Sequence, residues 1–253
     1  MSLRVALLSA HTCPLAVLGG KETGGMNVYV RELARELGRM GVCADVFTRS
    51  QNPNIPRVVT ITEGVRIVHL TAGPEAPMAR ERIRDYLDEF VDGVESFRIA
   101  GGFDYDLIHA HYWVSGAIGL VLRDRWSVPL VQMFHTLGHL KNDVTRDALH
   151  HEPAVRIDEE ARIVGAVDRI VAATTVERNH LVQHYGADPG RIAVIPCGVD
   201  TNLFMPGDQA AARAALGLDD QPRLLYVGRL APIKGLETLL DAMARLRAAG
   251  TSV

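Results

Sequence analysis

The residues that could do chemistry in this sequence are basic and lie near the ends of predicted strands and helices. They are Arg80, Lys141, Arg156, Arg229 and Lys234. Guanidinium and ammonium groups at the edge of a sheet suit phosphate recognition, because they supply charge-assisted hydrogen bonds to phosphate oxygens. Each residue alone is more often a solvated surface charge, but together they predict a phosphate-containing ligand.

A glycine loop precedes the first predicted helix. The stretch GGKETGG at residues 19–25 leads into a helix predicted from Met26 to Met40, and Gly41 ends it. Strand-length apolar runs at 3–10 and 42–49 flank the helix, which predicts a βαβ unit of a parallel sheet. Glycines there let backbone N–H groups approach a ligand beside the positive helix N-terminus. The spacing fits neither a GxGxxG fingerprint nor a P-loop, and a mobile linker stays as the alternative.

Histidines also gather at predicted strand ends, in HAH at 109–111 and HTLGH at 135–139. Pairs at these spacings can hold a metal, but no HExxH pattern or cysteine completes a zinc set, so no metal site is predicted. His135 is the leading functional histidine, because it ends a strand and precedes the hydroxyl residue Thr136. No GxSxG elbow and no pair of carboxylates at strand ends indicates a hydrolase.

The composition is that of an ordinary globular protein. The chain has 253 residues, of which 47% are hydrophobic and 23% charged, and a net charge of -3. This charge gives no reason to expect a nucleic acid or an anionic membrane as a partner. No apolar run is long enough for a transmembrane segment. The three cysteines are widely spaced and odd in number, which favours a reduced, cytoplasmic setting.

Seven strand-sized runs alternate with helical patterns and predict one doubly wound α/β domain. The runs are 3–10, 42–49, 65–70, 106–111, 128–135, 169–174 and 191–196. Predicted helices lie between them, near 79–97, 113–122 and 152–167, and a further helix begins where Thr174 and Glu177 have capping-box spacing.

The alternation of predicted strands and helices ends after residue 197. Residues 198–221 hold Gly, Pro and Asp and a short Ala-rich helix, which is typical of an interdomain linker. The pattern of residues 222–253 predicts a second strand–loop–helix unit. One such unit cannot bury both faces of its strand, so we expect the beginning of a truncated second domain.

Five motifs in order make the sequence resemble a retaining glycosyltransferase of family 4. They are GGMNVYVRELARELGRMG, HAHYWVSGAIG, FHTLGHLKN, VIPCGVDTNLFMPG and LLYVGRLAPIKGLETLLDAM. Within that family the sequence is similar to the mycothiol-pathway inositol-phosphate N-acetylglucosaminyltransferases and to sucrose-phosphate synthases. The resemblance implies a GT-B fold, with a Rossmann-like acceptor-binding domain at 1–197 and the start of a nucleotide-sugar-binding domain at 222–253.

The resemblance also implies substrates and residue roles. The donor is a nucleotide-diphosphate sugar, with a UDP-sugar favoured and no further cofactor, and the acceptor is a phosphorylated polyol or sugar. His135 is the active-site residue near the transferred sugar. The donor-binding residues are Gly24, Gly25, Arg229 and Lys234. The acceptor-binding residues are Asn27, Arg80, Tyr112, Thr136 and Arg156, and Arg80 replaces a lysine of the family.

The sequence leaves several alternatives open. A sucrose-phosphate or sucrose synthase type of activity fits the same motifs. Other enzymes of this fold phosphorylate or isomerise sugars, and a non-catalytic module that binds sugar phosphates is a different class of explanation. The carboxylate pair that contacts the donor in this family is not in the sequence, so we expect little transfer by this chain alone. Homo-oligomer formation is also open.

Overall fold

A single eight-stranded sheet forms the centre of the computed structural model, which describes residues 2–17, 23–145, 151–228, 230 and 234–250. Its strands are β1 (Arg4–Leu8), β2 (Cys43–Arg49), β3 (Val58–Thr62), β4 (Val65–Leu70), β5 (Leu107–His111), β6 (Leu130–Met133), β7 (Arg169–Ala172) and β8 (Ile192–Val194). They lie in the order β3-β4-β2-β1-β5-β6-β7-β8. Only β3 runs antiparallel to its neighbour, β4.

Helices cover both faces of this sheet. They are α1 (Gly25–Arg39), α2 (Leu87–Gly101), α3 (Trp113–Trp126), α4 (Gly138–Val144), α5 (Ala154–Ala166) and α6 (Thr175–Tyr185). One core packs Val30 and Ala34 of α1 against β1, β2 and β4. The larger core, on the other face, packs α2, α3, α5 and α6 against the strands. The fold is therefore the doubly wound α/β architecture that the alternating pattern predicts.

All seven strands predicted before residue 197 are confirmed, and β3 was not predicted. This strand pairs with β4 across a tight turn at Gly64, where φ is +71°. Its residues are exposed or half-buried, so it shows no buried apolar run of the kind that marked the other strands. Because β3 lies at the edge of the sheet, only one side of it pairs.

The helix predicted over 79–97 is in fact two pieces, a 3-10 helix at Arg80–Tyr86 followed by α2. The predicted helix start at Thr174 is confirmed. Thr174 Oγ1 accepts a hydrogen bond from the Glu177 amide at 3.0 Å, and the Glu177 carboxylate accepts one from the Ala173 amide at 2.7 Å. These bonds satisfy backbone donors that the first turn leaves free.

The chain divides into two compact units, one made of Met1–Asp143 and His151–Pro196 and the other of the remaining residues. In the second unit the structure describes two helices, α7 (Gln209–Ala215) and α8 (Leu236–Ala248). The strand predicted from residue 222 is wrong: residues 221–228 form none, and Leu225 and Val227 are 87% and 85% exposed. A strand needs a hydrogen-bonded neighbouring strand, and the sheet formed by the described residues includes no pairing with this segment.

No helix in the described part of the chain is long and apolar enough to cross a bilayer. The three cysteines are all described, and none of them forms a disulfide.

Candidate functional site

The carboxyl ends of three neighbouring strands bring predicted site residues together. His11 follows β1, Tyr112 follows β5 directly, and His135 follows β6. The His11 and Tyr112 rings lie 4.4 Å apart, and His111 Nδ1 lies 3.0 Å from His135 Nε2. The predicted convergence of these strand ends is therefore present, at the edge where open α/β sheets bind ligands.

Burial keeps the histidines of this edge neutral. Loss of solvation lowers the pKa of His135 to about 3, with nearby His109 as a second cause, and lowers the pKa of His11 to about 3. The basic residues Arg80, Arg156 and Lys141 also depress His11. Since His111 and His135 are both neutral, one of the two facing nitrogens carries the proton and donates it to the other. Among the residues that the structure describes, no three potential ligands converge on a metal position.

Two of the site residues have unusual backbone conformations. Tyr112 has φ of +76° and His135 has φ of +61°, values that residues with side chains rarely adopt. Such conformations cost on the order of 1–3 kcal/mol each and persist where the surrounding structure holds them. The Tyr112 amide donates to the Met133 carbonyl at 2.8 Å, and Gln132 Nε2 donates to the Tyr112 carbonyl at 3.2 Å. Residues of β6 therefore hold the turn that directs the Tyr112 ring into the site.

Three cations beside the Tyr112 ring meet at one carboxylate, that of Glu152. Lys141 Nζ lies 2.6 Å from its Oε1, Arg80 Nη2 lies 3.0 Å from the same atom, and Arg156 Nη1 lies 2.9 Å from its Oε2. Burial opposes ionisation of Glu152, but the three cations outweigh it and hold its pKa below the ordinary value. Glu152 is therefore an anion at the centre of a basic cluster.

Arg156 connects this cluster to the rest of the site. Its side chain is 1% exposed, and its Nε donates to Glu160 at 2.7 Å. Its Nη2 donates to the Thr136 carbonyl at 2.8 Å and to the Thr136 hydroxyl at 3.2 Å. The guanidinium carbon lies 4.9 Å from the centre of the Tyr112 ring, a cation–π distance. The predicted acceptor residues Arg80, Tyr112, Thr136 and Arg156 are thus brought together.

Asn27, the fifth predicted acceptor residue, forms its hydrogen bonds within the chain. It is 1% exposed. Its Nδ2 donates to Thr12 Oγ1 at 2.6 Å and to the Cys13 carbonyl at 2.7 Å, while its Oδ1 accepts from the Gly24 amide at 2.9 Å. These bonds fix the start of α1 against the segment that follows β1. A direct contact with an acceptor stays a prediction.

Neither glycine of the predicted donor loop is required by the fold. Gly24 has φ of 177°, which is extended backbone open to any residue, and no positive φ is found at Gly25. A Cβ at either position would meet no atom of the described residues within 4 Å. The packing of the described residues therefore gives no reason for glycine at either position.

The two predicted donor residues, Arg229 and Lys234, belong to the second unit. Arg229 lies outside the described residues, and Lys234 is exposed at the start of the segment that leads into α8. Glu152 and Glu160 were not predicted as members of the site, whereas His111 was predicted at a strand end without a role of its own. A signal existed for the two carboxylates, because Glu152, Arg156 and Glu160 follow one another at intervals of four residues.

The sheet topology and this edge define a doubly wound α/β domain of the kind that holds a small ligand at the carboxyl ends of its strands. The family model of Glycosyltransferase Family 4 matches residues 23–203. The chain belongs to glycosyltransferase family 4.

Curated relatives are similar over nearly all of this chain. The D-inositol 3-phosphate glycosyltransferase of Geodermatophilus obscurus is 45% identical over 248 residues, which cover 97% of this chain and 55% of that protein. A D-inositol 3-phosphate glycosyltransferase 2 of Catenulispora acidiphila is 44% identical and is covered over 57% of its length. The chain therefore spans a little over half the length of these relatives.

Solved structures show the same fold. Sucrose-phosphate synthase from Thermosynechococcus elongatus superposes with a TM-score of 0.88 at 35% identity, over 96% of this chain and 60% of that chain. The Anabaena protein HepE, solved in complex with UDP-glucose, has a TM-score of 0.64 at 18% identity, over 96% of this chain and 57% of its own. The fold is that of the GT-B glycosyltransferases.

Proposed function

We propose that this chain supplies the acceptor side of a retaining glycosyltransferase. The enzyme would transfer a sugar from a nucleotide-diphosphate sugar, with a UDP-sugar favoured, to a phosphorylated polyol or sugar. The observation that carries the proposal is the cluster of Arg80, Lys141 and Arg156 beside Tyr112 and Thr136. The names of the relatives support it, because D-inositol 3-phosphate and sucrose phosphate are both phosphate esters.

The cluster offers what a phosphate monoester needs. Its terminal oxygens would accept charge-assisted hydrogen bonds from the two guanidinium groups and the Lys141 ammonium. The Tyr112 hydroxyl is buried without a well-formed hydrogen bond among the described residues, and Thr136 is exposed. Both hydroxyls are available as additional donors, so the phosphate would anchor and orient the acceptor for attack on the donor sugar.

His135 acts in this proposal by hydrogen bonding. With a pKa of about 3 its imidazole is neutral at pH 7 and is a weak base, which makes it a poor acceptor of the proton that the acceptor hydroxyl loses. A neutral imidazole held by His111 can instead donate or accept one fixed hydrogen bond to the transferred sugar. The strained backbone of His135 sets the direction of that bond.

The glycine loop supports the donor part of the proposal. Because the fold does not require glycine at Gly24 or Gly25, close approach of a ligand is the remaining physical reason for both. The diphosphate would lie near the N-terminus of α1, where the backbone dipoles favour negative charge. Donor-binding roles for Arg229 and Lys234 also belong to the proposal, as do the absence of a further cofactor and a cytoplasmic setting.

Titration calorimetry on the chain tests the acceptor assignment. Glucose 6-phosphate and inositol 1-phosphate are compared with glucose and inositol, on the wild-type protein and on Arg80→Ala. The matched control is Arg82→Ala, which removes the same side chain from the same 3-10 helix at a position 65% exposed rather than 28%. We expect Arg80→Ala to weaken the phosphorylated ligands about tenfold or more, since a hydrogen bond to a charged group contributes ~1.5–3 kcal/mol. Arg82→Ala should change nothing.

Two results would count against the proposal. If Arg80→Ala weakened the binding of phosphorylated and unphosphorylated ligands equally, Arg80 would not contact the phosphate. If the phosphorylated ligands bound the wild-type chain no more tightly than glucose and inositol did, the cluster would not be a phosphate site.

A further inference from the structure

The basic cluster already contains an anion of the chain's own. The Glu152 side chain is 8% exposed, and its two oxygens take up contacts from Lys141, Arg80 and Arg156 at 2.6–3.0 Å. All three cations that the proposed function assigns to a phosphate are therefore paired with this carboxylate. A phosphate monoester and an ionised Glu152 would compete for the same three donors, and side by side they would repel each other.

The backbone and the side chain of Glu152 are held differently. Its backbone amide donates to Asn142 Oδ1 at 2.7 Å, and it lies two residues before the first residue of α5. These contacts anchor the main chain. The carboxylate, by contrast, depends on the three cations and can leave them by rotation of its own side chain.

We propose that Glu152 is a resident counterion that holds the phosphate site together when it is empty and that the acceptor's phosphate displaces. This inference rests on the proposed function and adds a specificity device to it. A dianionic phosphate offers three oxygens to the three cations, whereas Glu152 offers two oxygens and one charge. A neutral sugar cannot replace the carboxylate, so the site favours phosphorylated acceptors by exchange of one anion for another.

The proposal predicts that removing the charge of Glu152 strengthens phosphate binding. Because the carboxylate occupies the site, the apparent affinity for phosphate equals the intrinsic affinity multiplied by the fraction of molecules in which the site is free. Glu152→Gln keeps the size of the side chain and weakens its hold on the cations. If the carboxylate fills the site in nine of ten empty molecules, the substitution would tighten binding about tenfold. In the free protein the same variant should lower Tm, because it leaves three cations close together, and phosphate should restore it.

Calorimetry with inorganic phosphate and with glucose 6-phosphate, together with Tm measured with and without phosphate, provides the test. The matched control is Glu159→Gln, since the Glu159 side chain is equally buried and pairs with Arg162 and Arg84 away from Lys141. It should leave phosphate affinity unchanged. Glu152→Asp is a second variant: it keeps the charge, but its shorter side chain reaches fewer cations, so it too should bind phosphate more tightly than wild type.

Unchanged or weaker phosphate binding in Glu152→Gln and Glu152→Asp would overturn the inference. If Arg80→Ala still weakened binding in that case, the phosphate site would stand and only the role of Glu152 would fall. If neither probe bound to wild type or to any variant, the phosphate site and the inference would fall together.

Discussion

Replacing Arg156 by Met should destabilise the protein strongly, although the two side chains have similar length. Arg156 is 1% exposed and pairs with Glu160, whose side chain is fully buried, and with Glu152, which is 8% exposed. Methionine would fill much of the space but leave Glu160 without its cation. Removing one partner of a buried ion pair costs about 3–5 kcal/mol.

The structure places the expected loss near the lower end of that range. Glu160 Oε2 also accepts hydrogen bonds from the Gly138 amide at 2.9 Å and from the Tyr185 hydroxyl, and both remain in the variant. Glu152 keeps Lys141 and Arg80. We therefore expect a loss of about 3 kcal/mol in the free energy of unfolding, a large share of the ~5–15 kcal/mol typical of a domain.

Urea denaturation followed by the fluorescence of Trp113 and Trp126 measures this loss. The double variant Arg156→Met with Glu160→Gln should recover at least half of it, because the orphaned charge is then removed. Arg162→Met is the control: Arg162 lies on the same helix, is 53% exposed and pairs with Glu159, so its loss should be below about 1 kcal/mol. A loss under about 1 kcal/mol for Arg156→Met, or a double variant less stable than the single one, would refute the reasoning.

Three further predictions concern the same edge of the sheet. Tyr112→Phe should change the free energy of unfolding by less than about 1 kcal/mol, since the hydroxyl has no well-formed bond to lose, yet weaken glucose 6-phosphate several-fold by calorimetry. Gly25→Ala should leave stability unchanged or raise it by up to ~1 kcal/mol, because alanine is the better helix former and the added Cβ meets no atom; a clear loss in urea denaturation would contradict this. Stability should also fall below pH ~6.5: His11, His109 and His135 have pKa values of about 3, 4 and 3 in the folded protein, so the unfolded state binds more protons there. Each would remove up to about 1.4 kcal/mol per pH unit, and equal stability in urea at pH 5 and pH 7.5 would argue against their burial as neutral groups.

The parts of the fold that the sequence predicted are those that depend on local pattern. Buried parallel strands are continuous apolar runs, and α1 has a clear helical period, so both were visible in the sequence. The strand β3 was missed because an edge strand with one paired side lacks that apolar signature. The prediction of a strand from residue 222 was wrong for the opposite reason. The segment has a strand-like apolar run, but a strand also needs a neighbouring strand to pair with, and the segment's own sequence cannot show whether one is present.

The same distinction separates the features of the site that could be predicted from those that could not. The placement of Tyr112, His135 and Thr136 at adjoining strand ends follows from topology, and topology could be predicted. The positive φ values of Tyr112 and His135 could not be predicted, because neither residue type favours that conformation; at Tyr112, hydrogen bonds with β6 hold it. The pairing of His111 with His135 likewise depends on the register between two strands that are distant in sequence.

Glu152 and Glu160 illustrate why the cations of such a site are easier to predict than their partners. A negatively charged ligand is bound by basic residues, so Arg80, Lys141 and Arg156 could be predicted as binding residues from their type and position. The same three cations repel one another and lose solvation when the fold brings them together. The fold must therefore supply anions of its own before any ligand arrives, and it does so at intervals of four residues around Arg156. A basic cluster in a sequence should for this reason be read together with the carboxylates one helical turn away, since these decide whether the cations can be buried at all.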